Sequence, residues 1–224
     1  MTKPGKSPQV DDNVDHRTQA NNAEEPILRA AEQIFAKYGY RGATTSMIAT
    51  KAGVKKPNIY YYYKSKEELY RTLLQSTLDM WRQTTKDISG QSDPEKMLTE
   101  YIRKKLEFSQ RHPLLSKIFA NEIFNGAPYI GDQLKSQRQE SFDILILKLE
   151  KWIAEGKIDP IDPVHLVFSI WGMTQFYADH SAQLQILLEK RRLDENDFEE
   201  AAKTITQLVL RCVGLTLPED HGPI

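Results

Sequence analysis

The sequence predicts an all-α protein: an N-terminal three-helix head carrying a helix-turn-helix, followed by a larger helical bundle. Three observations predict it. Apolar residues recur at helical spacing from Glu24 almost to the C-terminus. Cap residues (Ser, Thr, Asp) and stop residues (Gly, Pro) punctuate that pattern about one helix apart. No run of alternating apolar and polar residues marks a strand.

Residues 1–22 carry Pro, Gly, Ser, Asn, Asp, Gln and Lys and almost lack large apolar groups. Such a segment buries too little surface to offset its ordering entropy, so it reads as a flexible arm. Ile27, Ala30, Ala31, Ile34 and Phe35 then line one face of a helix that Gly39 ends, with Gly42 in the following turn. Thr44 or Thr45 caps a short second helix containing Met47, Ile48 and Ala52, and Gly53 stops it. Lys56-Pro57-Asn58 opens a third helix, with Pro in the first turn, where its missing N–H costs nothing. Ser65-Lys66-Glu67-Glu68 is a capping-box pattern that starts a long helix through Leu69, Leu73, Leu74, Leu78 and Trp81. These elements set a head at 23–69, a helical bundle at 70–217 and a short tail at 218–224.

Within the bundle, Met97, Leu98, Tyr101, Ile102 and Leu106 mark a helix after Pro94. Pro113 opens a short apolar helix to Phe124, and Gly126-Ala127-Pro128 turns into a long one ending near Gly156. Asp162-Pro163 starts a helix expected to run to about Glu189, and Asp194 begins the last, through Gly214.

Composition narrows the function. The chain has 224 residues, enough for both cores. Its longest unbroken aliphatic stretch is Ile144–Leu147, far short of the about 18–20 residues that span a bilayer, and no apolar run follows Met1. The expectation is a cytoplasmic protein with no membrane partner. Cys212 is the only cysteine, which excludes an internal disulfide or a thiolate cluster; it reads as buried packing. The net charge of −1 conceals an island: Lys51, Lys55, Lys56, Lys64 and Lys66 with no acid among them, leaving −6 for the rest. Such an island suits an anionic polymer or a membrane surface, although a merely solvated lysine face has the same composition.

The island coincides with the helix-turn-helix, whose second helix enters the DNA major groove N-terminus first. Asn58 can pair with a base edge, Lys56 with guanine acceptors, and the Tyr60 and Tyr61 hydroxyls with phosphate. Thr45, Lys64 and Lys66 flank the groove helix, while Tyr63 faces the core. In the bundle, Trp171 and Gln175 lie four apart on one helix and share a face. Together with Trp81 they suit a flat heterocycle, the indoles by stacking and the amide by pairing with a lactam or imide edge. Thr174 and Tyr177 are further candidates. The same tryptophans would also serve as ordinary bundle core.

No nucleophile elbow, phosphate-binding loop, dinucleotide fingerprint or paired-histidine zinc motif is present. The histidines at 16, 112, 165, 180 and 221 lack metal-ligand spacing. An enzyme, a cofactor and a metal are therefore not expected.

Ile27-Leu28-Arg29-Ala30-Ala31, Phe35-Ala36-Lys37-Tyr38-Gly39-Tyr40 and the stretch from Thr44 to Leu69 together resemble the DNA-binding head of the TetR family of bacterial regulators. The resemblance implies DNA contacts at Thr45, Ser46, Lys56, Pro57, Asn58, Tyr60, Tyr61 and Lys66. It also implies a homodimer formed through the last two helices and a two-fold symmetric double-stranded operator. Lys55-Lys56-Pro57-Asn58 departs from the Ser-Lys-Gly-Thr of many members, which leaves the operator sequence open. Further on, Glu122-Ile123-Phe124-Asn125-Gly126-Ala127-Pro128, Ile161 to Phe168, Ile170-Trp171 and Thr174 to Asp179 resemble the pyrimidine-responsive branch of that family. The implied function is a repressor whose operator affinity changes with a small planar effector such as uracil or thymine. The alternatives are a regulator of this type sensing a purine, polyamine or drug, and a helical protein-interaction module, which the basic island disfavours.

Overall fold

Ten α-helices and no strand make up residues 23–215, the part of the chain that the computed structural model describes. The expected arm (1–22), the expected tail (218–224) and the last two residues of the expected bundle lie outside it. The chain divides into two compact units, one through Tyr70 and one from Arg71.

In the first unit, helix α1 (Glu24–Gly42) buries Ile27, Ala30, Ala31, Phe35 and Ala36. Gly39 interrupts it at φ 66°, ψ 176°. That left-handed φ admits Gly far more readily than any residue with a Cβ. The chain therefore kinks where the sequence places a stop, and a further turn to Gly42 follows before it leaves the helix. Thr44 caps α2 (Thr45–Ala52), its Oγ1 accepting the Met47 N–H at 3.2 Å. Gly53 (φ 69°) terminates it, and Pro57 lies in the first turn of α3 (Lys56–Tyr62).

The long helix α4 (Lys66–Ser89) follows. The Ser65 Oγ accepts the Glu68 N–H at 3.1 Å, while the Glu68 carboxylate reaches one residue further back, to the Lys64 N–H at 2.7 Å. Ile27, Phe35, Ile48, Ile59 and Leu69 are fully buried and join the four helices. Each is worth about 1.5–3 kcal/mol by burial.

The second unit continues with α5 (Pro94–Arg111), α6 (Pro113–Phe124), α7 (Gly131–Ala154), α8 (Pro163–Asp179), α9 (Ser181–Leu187) and α10 (Glu195–Cys212). Asp93, Asp162 and Asp194 cap α5, α8 and α10 through their carboxylates. The Asp162 Oδ1 takes both the Val164 and the His165 N–H, at 2.9 and 3.0 Å. Helices α8 and α10 pack against α5, and Leu98, Ile102, Leu145, Val167, Ile170, Ile205 and Leu210 share their core. The buried Glu122 carboxylate accepts the Tyr129 and Ile130 N–H groups at 2.6 and 3.2 Å, tying down the Gly126–Pro128 turn.

Two expectations are corrected. The helix from Pro163 does not run on to Glu189: it ends at Asp179, and His180 (φ −109°, ψ 21°) bends the chain into α9. The bend keeps its hydrogen bonds, His180 N–H to Phe176 O at 2.9 Å and Leu184 N–H to His180 O at 3.1 Å, which is why periodicity runs through it unbroken. Cys212 is exposed rather than packed inside, in a groove with His165, Ser169, Met173 and Leu208.

Candidate functional site

The head presents its basic face from α2 to the start of α4. Lys51, Lys55, Lys56 and Lys64 are exposed, as are Ser46 and Pro57. Asn58 is half-buried in the first turn of α3. Tyr60 and Tyr61 are 47% and 71% exposed, against 5% for Tyr63, so the four-tyrosine run divides as helical geometry requires. Thr45 is buried, with its Oγ1 3.2 Å from the Tyr60 hydroxyl, a link that fixes α3 against α2. Tyr63 donates its hydroxyl to Glu24 Oε1 at 3.3 Å, and burial, reinforced by that carboxylate, pushes its phenol well above the ordinary range. It is therefore a neutral anchor between the end of α3 and the start of α1.

Lys66 stands apart from the other lysines. Its Nζ donates to the carbonyl oxygens of Tyr40 and Ala43, at 2.8 and 3.0 Å, and lies 4.2 Å from the Tyr40 ring centre. The ammonium thus caps carbonyls at the end of α1, and its charge is engaged within the head.

The second unit carries a half-open cavity of about 720 Å3. Helix α4 contributes Leu78, Trp81 and Thr85; α5 contributes Tyr101 and Lys105; α8 contributes Val164, Phe168, Trp171 and Gln175; α6 and α7 close it with Phe119, Phe142 and Leu145 among others. Two aromatic walls result. Trp81 packs edge-on against Phe119 (centroids 4.6 Å apart) and Phe108 (5.5 Å). In the second, Trp171, Phe142 and Phe168 form a triangle with sides of 5.6 to 5.8 Å. The structure thus brings Trp81, Trp171 and Gln175 together, as the sequence suggests.

It does not bring Thr174 or Tyr177 to them. Thr174 is fully buried, its Oγ1 donating to Ile170 O at 2.8 Å and its carbonyl accepting from Ser109. Tyr177 packs towards Phe198 of α10. Neither lines the cavity.

Sequence reading missed Lys105 and Tyr101. The Tyr101 hydroxyl accepts the Trp171 Nε1–H at 2.6 Å, and burial pushes its phenol above the ordinary range. Lys105 is 4% exposed, with its Nζ 4.1 Å from the Trp81 ring centre and 5.8 Å from that of Trp171. Burial pulls its pKa down to about 7, against an opposing pull from the Asp179 carboxylate. A signal for it existed: Lys105 follows Tyr101 by four on the apolar face of Met97, Leu98, Ile102 and Leu106. The Trp81 Nε1–H is buried with no hydrogen-bond partner among the described residues.

Comparison with known proteins fits both units. Residues 27–73 match a family described as bacterial regulatory proteins, tetR family, and residues 74–216 match one described as YcdC-like protein, C-terminal region. The HTH-type transcriptional regulator RutR of Escherichia coli O157:H7 is 36% identical over 184 residues, 82% of this chain and 87% of that protein. The HTH-type transcriptional repressor NicS of Pseudomonas putida is 27% identical over 197 residues, covering 86% and 93%. The solved ketosteroid transcriptional regulator KstR2 of Mycobacterium tuberculosis has the same fold, with a TM-score of 0.69 at 24% identity over 86% of this chain and 95% of that one.

Proposed function

The chain belongs to the TetR family of bacterial DNA-binding regulators and is not an enzyme; from that we propose a homodimeric repressor, held on a two-fold symmetric operator until a small planar metabolite such as uracil or thymine enters the cavity. The observation that carries the effector reading is the convergence of Trp81, Trp171 and Gln175 on one cavity. Indole faces stack on a flat ring, and a Gln amide supplies a donor and an acceptor for its edge. The likeness to RutR, together with the motifs shared with the pyrimidine-responsive branch, supports uracil and thymine. The protein would act in the cytoplasm, where its operator is.

DNA would be held by the exposed lysines and by Tyr60 and Tyr61 on phosphate, with Ser46, Pro57 and Asn58 approaching the bases. Thr45 would act through Tyr60, to which it is linked. The head at 23–69 would be the DNA-binding domain and 70–217 the sensing one. Helix α4 begins at Lys66 and carries Leu78, Trp81 and Thr85 to the cavity, so one element belongs to both functions. An effector shifts operator affinity only to the extent that it prefers one arrangement of that helix.

A second reading follows from size. The cavity lies in the upper part of the range for small-molecule sites, about 300–1,000 Å3, and a bare pyrimidine would leave much of it empty. A larger planar ligand, such as a purine or drug, meets the same walls.

Calorimetry of ligand-free protein against uracil, thymine and cytosine, with operator release followed in parallel, separates the readings. Uracil and thymine share a carbonyl–N–H–carbonyl edge that cytosine lacks, so the first two should bind and release DNA. Absence of heat with either at millimolar concentration removes the pyrimidine effector and leaves the regulator.

A further inference from the structure

Lys105 is a buried amine inside an aromatic cavity and forms no ion pair with a described residue. Its Nζ is faced by the Trp81 ring from α4 and the Trp171 ring from α8. No hydrogen-bond acceptor holds it among the described residues, although a buried ammonium ordinarily needs one. We propose that Lys105 selects the effector: the cavity takes a planar ligand presenting a ring carbonyl or carboxylate oxygen to Nζ, and the lysine gains a proton as that ligand binds. The proposal deepens the effector reading above, rests on the same cavity, and specifies which ligand edge faces α5.

The surroundings support it. Asp179, on α8, attracts the lysine at a distance; its own carboxylate is engaged by the Ser116 hydroxyl of α6 at 2.7 Å, and burial raises its pKa, partly offset by Ser116, His180 and Lys105. Tyr101, on α5, already has its hydroxyl occupied by Trp171. Lys135 lines the cavity from α7 and adds positive charge, not an acceptor. Among the described residues no oxygen is hydrogen-bonded to Nζ, and burial brings its pKa to about 7. An oxygen at hydrogen-bonding distance favours the ammonium and reverses that depression. The proton comes from solvent and resides on Nζ; no covalent bond is made.

The test is calorimetry of the full-length protein with two probes, uracil and benzoate, in buffer pairs whose ionisation enthalpies differ: phosphate and Tris at pH 8, phosphate and Bis-Tris at pH 6. Uracil shares its fate with the pyrimidine reading; benzoate, a flat ring with a carboxylate, does not. For a group near 7, binding should take up about 0.9 proton per site at pH 8 and about 0.1 at pH 6, with affinity about tenfold tighter at pH 6. Lys105→Met should abolish both effects, and Lys105→Arg, permanently charged, should bind without proton uptake. Uptake with at least one probe, lost in both variants, carries the proposal; if benzoate alone shows it, the pyrimidine reading fails and this one stands. Binding without uptake by every probe that binds would mean a neutral amine accepting a ligand N–H and overturns it, as does no binding by either.

Discussion

Lys66 reaches back to Tyr40, its ammonium 2.8 Å from the backbone oxygen of that residue and 4.2 Å from the centre of its ring. With the second bond to Ala43 O at 3.0 Å, one side chain fastens the start of α4 to the end of α1. Lysine in a basic island is therefore not one kind of residue: four of the five face solvent and the fifth is a structural fastener.

Lys66→Ala should accordingly lower stability by roughly 1–3 kcal/mol, the cost of leaving partly buried carbonyls unpaired. Urea melts measure it. Where the variant is still folded, its salt slope on DNA should match the wild type, whereas Lys56→Ala should lower that slope by about one for each phosphate left without its cation. A reduced slope for Lys66→Ala instead would place its charge on DNA.

Asn58→Ala should change base preference at one position of each half-site by about 1–3 kcal/mol, the usual worth of a base-edge pair. Competition between operator variants reads it. A uniform loss on every sequence would assign Asn58 to the backbone.

In the cavity, Gln175→Leu should cost uracil affinity about 1–3 kcal/mol and erase discrimination against cytosine, because the ligand edge loses its partner. Trp171→Ala should cost a similar amount through stacking without restoring cytosine binding. Calorimetry against both bases distinguishes the two patterns.

Lys105→Met should stabilise the protein, and the gain should depend on pH. The folded lysine titrates near 7 and the unfolded one near its ordinary 10.5. Between those values the unfolded chain holds a proton that the folded chain lacks, so this group makes stability rise with pH across the window. Below 7 both states are charged and the penalty of burying the charge is complete. The variant should gain roughly 2–4 kcal/mol near pH 6 and little near pH 10. Equal gains at both would point to packing alone.

For assembly, deleting α10 is a poor test, because Ile205 and Val209 are 4% and 2% exposed within their own chain and removal would gut the core. Leu208, 57% exposed on the same helix, is the better probe. Leu208→Glu should leave the helix content intact and convert the dimer to monomer in sedimentation. An undisturbed dimer would place the interface off this face of α10.

What was legible in the sequence was local. Thr44, Gly53, Asp162 and Asp194 announce their caps because the bonds they make lie within one turn. Three-dimensional choices were less so. Thr174 and Gln175 stand three and four residues after Trp171, and either spacing shares its face; only the packing of α8 on α5 sends one into the core and the other to the cavity. Ile205 and Leu208 differ in the same way. The bend at His180 left no trace because its hydrogen bonds survive, and its ring stacks on Phe176 at 4.4 Å. Lys105 was the readable omission, a lysine at an apolar position of an otherwise regular helix.

The bond from Trp171 to Tyr101 has a consequence for how tightly anything can bind. An indole free to rotate would have to be immobilised by each arriving ligand, at about 0.5–1.5 kcal/mol of lost rotamer entropy. Here the ring is already held at 2.6 Å by a buried phenol and braced by Phe142 and Phe168. That entropy is surrendered once, when the chain folds, so the wall is preorganised: its stacking surface meets a ligand at no further conformational cost.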